Sequence, residues 1–139
     1  MVDGAESGGG FSLVEHPMPP RRLAAPLHRH ANEDEYSYVL EGSMGALLGD
    51  EVVVAQAGDL VFKPRNQWHT FWNAGDEPAR ILEIISPAGF EKFFESLVDF
   101  DREPTLEERA ELAARHGLEF DFESLGEIME THGVAFGPV

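Results

Sequence analysis

Apolar and polar residues alternate over short stretches of this chain from Leu27 onward, and turn residues separate the stretches. Alternation with a period of two indicates strands that bury one face. A further short edge strand is predicted before Pro17. The connection that contains this proline is expected to lie outside a ladder. The predicted strands cover residues 11–14, 35–40, 43–48, 52–54, 60–63, 69–73 and 80–86, with another starting at Leu27. Many short strands joined by regular turns predict an all-β antiparallel sandwich or barrel.

The period changes in the last part of the chain. Apolar residues recur from Phe90 to Val98 at the spacing of one helical face, which predicts an amphipathic helix on the barrel. Thr105 with Glu108 forms a capping box for a second helix ending near Gly117, and Ser124 with Glu127 repeats the pattern for a third. The predicted organisation is a flexible tail at 1–10, a barrel at 11–89 and a helical extension at 90–139.

Composition narrows the class of partner. The chain has 139 residues, the length of one domain, and its formal net charge of −16 disfavours binding to nucleic acid or to an anionic membrane surface. It contains no cysteine, which excludes a disulfide framework. The first ten residues lack the apolar core of a secretory signal, so the expected location is the cytoplasm.

Candidate chemistry is concentrated in four side chains. His28 and His30 are two positions apart on a predicted strand, so both point to the same face. Glu35 adds an anionic oxygen and His69 another imidazole nitrogen. This mixed set suits one divalent ion of iron, manganese, nickel, copper or zinc per subunit and leaves coordination sites free for chemistry.

The residues around these four resemble the two motifs of the cupin superfamily, in its small single-domain group similar to quercetin dioxygenase. The first motif is carried by His28, His30, Glu35 and Gly42, with Arg22 in place of its leading glycine. The second is carried by Gly58, Pro64, His69 and Asn73. Asn66 occupies a usual glycine position of that motif and is expected to tolerate a positive φ. The resemblance implies a single jelly-roll barrel in which His28, His30, Glu35 and His69 hold the metal.

The resemblance also implies a function. It favours an oxidoreductase, a metal-dependent dioxygenase that acts through the enolate of a small planar substrate with adjacent oxygen donors, with Glu35 as the catalytic proton carrier. Three alternatives remain open: a redox-neutral cyclase, isomerase or lyase of a biosynthetic pathway, a non-catalytic module that binds a metabolite, and a structural barrel with an adventitious metal.

The sequence also suggests roles for several further side chains. Aromatic and amide residues close in sequence to the ligands are candidates for substrate binding: Tyr36, Tyr38, Trp68, Phe71 and Asn73. Glu83 interrupts an apolar strand and is either exposed or a second buried acid. His16, His116 and His132 are assigned no role. A homodimer is expected, with the helical stripe from Phe90 to Val98 and the strand at 11–14 as candidate contact surfaces.

Overall fold

The computed structural model describes residues 2–136, so Met1 of the predicted tail and residues 137–139 of the predicted extension lie outside the described residues. Two antiparallel sheets face each other, as the alternating pattern predicts. The four-stranded sheet has the order β1-β8-β3-β6 and the five-stranded sheet the order β5-β4-β7-β2-β9. The strands are β1 Ser12–Met18, β2 Leu27–His30, β3 Asp34–Glu41, β4 Ser43–Leu48, β5 Glu51–Gln56, β6 Leu60–Lys63, β7 His69–Asn73, β8 Ala79–Ser86 and β9 Leu118–Asp121.

Three helices follow the barrel or lie between its last strands: α1 Glu91–Val98, α2 Leu106–Arg115 and α3 Leu125–His132. The capping box predicted for α2 is present, since Thr105 Oγ1 accepts from the Glu108 amide and the Glu108 carboxylate accepts from the Thr105 amide. The predicted stripe of α1 packs on the chain's own core, where Phe90 and Phe93 are buried against Ile85 and Leu118.

Two expectations about strands were wrong. The first strand continues through Pro17, which pairs with Arg80, to Met18. The ladder tolerates this proline because β1 is an edge strand. The strand β9 was missed entirely, because its four residues follow a predicted helix without turn signals on both sides; it pairs with β2, the strand that carries His28 and His30.

Close packing of neighbouring strands within the five-stranded sheet depends on a small residue at one position. Gly45 on β4 pairs with Trp72 on β7, and a Cβ atom at Gly45 would lie only 2.2 Å from Trp72 Nε1. Asn66 has a φ of 65°, which confirms the turn expected at that position. Its amide donates to the His30 carbonyl at 2.7 Å, so this turn is joined directly to the histidine strand.

Candidate metal centre

His28 and His69 face each other directly as a register pair of β2 and β7. Each ring is oriented by its own local backbone: His28 Nδ1 lies 2.7 Å from the Pro26 carbonyl and His69 Nδ1 lies 3.2 Å from the Gln67 carbonyl. An imidazole that donates through Nδ1 presents Nε2 as its free donor atom. The two strands therefore hold both rings with Nε2 available to a cation.

The third ring, His30, completes a group of three buried histidines whose ligating atoms all lie within 4.8 Å of one another. Within residues 2–136, the buried Nε2 atoms of His30 and His69 make no hydrogen bond of acceptable geometry. Buried polar atoms without a hydrogen-bond partner are costly, and imidazole nitrogens are ligands for divalent transition metals. These residues fit a metal ion.

Glu35 lies beside the three histidines. Its Oε1 is 2.8 Å from His30 Nε2, and its Oε2 is 3.5 Å from His69 Nε2. Oε2 is also 3.2 Å from Lys63 Nζ. Glu35 and Lys63 are register partners of β3 and β6, so the four-stranded sheet places this carboxylate and ammonium together opposite the histidine sheet. The carboxylate can therefore act as a fourth ligand or remain free to exchange a proton.

Lys63 also contacts Glu83, which the structure buries at 2% exposure. The alternation of β8 settles this position, because Ile81, Glu83 and Ile85 share the inward face. Ser37 Oγ donates to Glu83 Oε2 at 2.7 Å, and Lys63 Nζ lies 4.3 Å from the centre of the Phe71 ring. A buried polar network thus supports Glu35 from behind.

The electrostatics of the cluster divide its members. Burial, followed by the neighbouring His69 and His30, holds the pKa of His28 well below its usual value, and burial also lowers the pKa of His69. Burial opposes the charged form of His30 as well, but Glu35 and then Glu33 raise its pKa to about 9. His28 and His69 are therefore neutral at pH 7, whereas His30 must lose a proton to ligate a metal.

The acidic members respond to Lys63. Burial alone would raise the pKa of Glu35, but Lys63 and then His30 outweigh it and hold that pKa well below the usual range. Burial and the nearby Glu35 raise the pKa of Glu83, which Lys63 opposes. Burial disfavours the ammonium of Lys63, yet Glu83 and Glu35 raise its pKa. Glu35 is therefore kept anionic beside a fixed cation.

His28, His30 and Glu35 line a cavity of about 80 Å³ between the two sheets. Its walls are mostly apolar. Helix α1 with its N-cap and strand β9 contribute five of the apolar side chains: Phe90, Phe93, Phe94, Leu118 and Phe120. The Phe90 ring meets His30 edge-on at 4.5 Å, and Phe120 meets His28 at 5.9 Å. The helical extension thus closes one side of the metal cavity.

Of the five side chains predicted to bind substrate, Phe71 lines this cavity. The rings of Tyr36 and Tyr38 lie on the opposite face of β3 from Glu35, where Tyr36 stacks on Phe62 at 5.0 Å and Tyr38 is exposed. Trp68 lies under the Arg29 guanidinium. Proximity in sequence to the ligands did not place these rings in the cavity.

Asn73 performs a structural task. Its amide nitrogen donates to the carbonyls of Met18, Pro19 and Glu77, and its Oδ1 accepts from the Gly75 amide at 2.9 Å. This buried side chain ties the end of β1 to the turn between β7 and β8 and is not among the residues that line the cavity. Its position gives no support to the predicted substrate contact.

Sequence reasoning overlooked two members of the site. His16 was assigned no role, yet its ring is part of the cavity wall, edge-on to Phe71 at 5.9 Å and to Phe94 at 6.1 Å. Lys63 was not among the predicted site residues. Strand parity could have found both, because His16 shares a face with Met18 on β1, and Lys63 shares a face with Val61 on β6.

Comparison with known proteins identifies a family to which the chain is similar. Residues 15–85 match the family described as "Cupin domain". The chain is 37% identical over 60 residues to the tetracenomycin polyketide synthase protein TcmJ of Streptomyces glaucescens, a match covering 43% of this chain and 40% of that protein. It is 32% identical over 78 residues to the polyketide synthase CurC of Streptomyces cyaneus, covering 56% of this chain and 49% of that protein. The matches span less than half the length of each relative.

Solved structures share the fold at low sequence identity. A protein of Thermotoga maritima described as a predicted oxalate decarboxylase superposes with a TM-score of 0.57 at 24% identity, covering 63% of this chain and 75% of that chain. KdgF of Halomonas sp. superposes with a TM-score of 0.56 at 19% identity, covering 60% of this chain and 74% of that chain. These likenesses concern the fold. Within residues 2–136, no helix is long and apolar enough to cross a membrane.

Proposed function

The chain belongs to the cupin family, and from that premise we propose that it is a metal-dependent enzyme acting on a planar, enolisable small molecule with adjacent oxygen donors, of the polyketide class. One observation carries this proposal: His28, His30 and the anionic Glu35 line a cavity walled by aromatic rings, and the buried His69 lies beside them. The polar and the apolar groups that such a substrate requires line the same small space.

The proposed ligands are His28, His30 and His69, with Glu35 as a fourth. A divalent transition-metal ion bound there would supply Lewis acidity, lowering the pKa of a chelating hydroxyl or of the carbon next to a carbonyl. His28 and His69 are neutral and oriented by the backbone, so they can bind without losing a proton. Chelation by adjacent oxygens makes the second bond intramolecular, which favours such substrates over single donors.

Glu35 is the proposed proton carrier. Its Oε1 would accept the proton that leaves the substrate and return it at a different atom, while Lys63 holds Oε2 and limits the movement of the carboxylate. Phe71 and the rings of α1 would stack on the planar substrate and exclude water from the anion that forms. Proton transfer by Glu35 is common to the redox-neutral and the oxygen-dependent reactions.

In the redox-neutral branch, which includes cyclisation, a substrate of the polyketide class suggested by the names of two relatives reacts without O2. The dioxygenase branch expected from the sequence motifs uses the same residues and consumes O2. To separate them, metal-loaded protein is incubated with a flavonol and with an aromatic β-diketone, while an oxygen electrode and mass spectrometry follow the reaction. A product that contains two oxygen atoms from O2 supports the dioxygenase. A new product that has lost water, or an isomer of unchanged mass, formed without oxygen uptake supports the cyclase branch.

Metal content and chelator binding test the proposal further. Elemental analysis of untagged protein should find one divalent transition metal per chain. Protein that carries no such metal after reconstitution with iron, manganese, nickel, copper and zinc in turn, or that binds none of the planar chelators when loaded, is not an enzyme of this class.

A further inference from the structure

His16 occupies an inward position of β1, opposite Ile81 of β8. Its ring lies on the wall of the metal cavity, packed edge-on against Phe71 and Phe94. Neither it nor its neighbours in sequence belong to the proposed ligand set. A polar side chain on an otherwise aromatic wall is one of the few groups there that can fix the orientation of a bound molecule.

The same residue also borders a second space. An outer groove of about 350 Å³ runs over the N-terminal strand, and His16 and Ala24 line both this groove and the inner cavity. The inner cavity, at about 80 Å³, is well below the roughly 300 Å³ of a typical ligand pocket. A substrate with several rings therefore exceeds the inner cavity, and His16 and Ala24 lie where the two spaces adjoin.

The ring of His16 retains its full capacity for hydrogen bonds. Within residues 2–136, neither of its nitrogens makes a side-chain or backbone hydrogen bond. Burial, followed by Lys63, lowers the pKa of His16 to about 4, although Glu35 acts in the opposite direction. The imidazole is neutral at pH 7, so it offers one donor and one acceptor.

We propose that His16 is a substrate-binding residue that hydrogen-bonds a hydroxyl group on the part of the substrate remote from the metal, at the junction of the inner cavity and the outer groove. This inference rests on the proposed function and deepens it, because it assigns the substrate two polar ends. Adjacent oxygens meet the histidines and Glu35, and a hydroxyl on another ring meets His16. The substrate class is therefore a polyhydroxylated, multi-ring compound rather than a single-ring chelator.

Two flavonols that share the chelating oxygens test this. Kaempferol carries hydroxyls on its outer rings, whereas 3-hydroxyflavone lacks them. Their dissociation constants are measured by fluorescence titration of the metal-loaded wild type, His16→Phe, His16→Gln and a matched control, His132→Phe, whose position stacks on Trp72 outside the cavity. Native mass spectrometry measures the metal content of each variant.

The expected result is full metal content in all variants, and a loss of about tenfold in kaempferol affinity for His16→Phe with less than about threefold for 3-hydroxyflavone. His16→Gln, which keeps a donor and an acceptor, should recover most of the loss, and His132→Phe should match the wild type. If His16→Phe changes the affinities for both flavonols equally, or changes neither, the role of His16 is overturned while the proposed function stands. Loss of metal from His16→Phe also overturns this role. Failure of the wild type to bind either flavonol overturns the proposed function, and the role of His16 with it.

Discussion

Lys63 and Glu83 form an ion pair in the interior of the barrel, with both side chains almost completely shielded from solvent. The pair is not isolated, because the same ammonium lies 3.2 Å from Glu35 Oε2. One cation thus serves a carboxylate of the site and a carboxylate behind it. A buried pair of this kind need not increase stability relative to apolar residues, but removal of one partner leaves an uncompensated charge.

Lys63→Met should therefore destabilise the metal-free protein by about 3 kcal/mol, since Glu35 and Glu83 would face each other without their cation. The double variant Lys63→Met/Glu83→Leu should recover at least half of that loss, because the second buried charge is then absent. Urea unfolding curves measure both values. If the double variant is no more stable than Lys63→Met, the ion pair is not the origin of the loss.

Loss of a single histidine should empty the metal centre. In His69→Ala, His28 is the one member of the proposed ligand set that remains as an imidazole able to bind without losing a proton, so the centre should not hold a divalent ion against buffer. We expect bound metal to fall to a small fraction of the wild-type content in native mass spectra, with the same result for His28→Ala and His30→Ala. His132→Ala is the control and should keep its metal. Full occupancy in His69→Ala would remove His69 from the ligand set.

Much of the fold and the ligand set follows from the sequence, because both depend on strand parity. The two-residue spacing of His28 and His30 is a property of any extended strand, and the opposite position of His69 follows from pairing of β2 with β7. The aromatic candidates show where that reasoning was left incomplete. Tyr36 and Tyr38 alternate with Glu35 and Ser37, so parity alone places them outside.

Other features depend on contacts that no local pattern carries. The strand β9 contributes Leu118 and Phe120 to the cavity wall only because α2 brings it back beside β2. The partnership of Lys63 with Glu83 requires β6 and β8 to flank β3 in one sheet, which strand order along the chain does not reveal. His16 forms part of the cavity wall by packing against Phe94, a residue far along the chain in α1.

The burial of His16 predicts a pH dependence of stability in the metal-free protein. Burial, followed by Lys63, lowers the pKa of His16 to about 4 in the folded state while Glu35 acts in the opposite direction, whereas an unperturbed histidine has a pKa of about 6.5. The unfolded chain therefore binds more protons, so stability is full above about pH 6.5 and is lost as the pH falls toward 4. Between pH 7.5 and 5 the contribution of His16 should fall by about 1–2 kcal/mol.

Urea unfolding of the wild type and of His16→Phe at the two pH values measures this effect. Because phenylalanine does not titrate, the variant should lose less stability than the wild type, and the difference isolates His16 from the other groups. An identical loss in both proteins would show that His16 does not titrate with a lowered pKa.

An exposed apolar surface lies on the outer face of β3 and β6. Tyr38 and Leu60 are register partners there, as are Tyr36 and Phe62, and Leu60 and Phe62 are 58% and 49% exposed. Large exposed apolar patches are unusual on monomers, so we expect a second copy of the chain to cover this face. The stripe on α1 expected to do so packs mostly within the chain, where it buries Phe90 and Phe93.

Phe62→Glu should therefore convert a dimer into a monomer, because it places a charge in the contact of a protein that is already strongly acidic. Multi-angle light scattering should report about twice 15.4 kDa for the wild type and a single chain for the variant. Val98→Glu is the comparison, since Val98 is 81% exposed in the α1 stripe predicted from the sequence as a contact surface, and this variant should remain dimeric if the β3–β6 face is the contact. A monomeric wild type, or a Phe62→Glu variant that remains dimeric, would contradict the assignment.

Glu35→Gln should separate metal binding from proton transfer. The amide keeps the shape of the side chain beside His30 and Lys63 but has neither charge nor basicity. We expect metal affinity to fall modestly, because the three histidines remain, whereas turnover of an enolisable substrate should fall by about 10²-fold or more. Metal titration and steady-state kinetics on the loaded protein measure the two effects. Glu119→Gln, which alters an exposed carboxylate paired with Arg29, should change neither. Unchanged turnover in Glu35→Gln would leave this carboxylate with a structural role, and loss of metal in proportion to activity would make it a ligand alone.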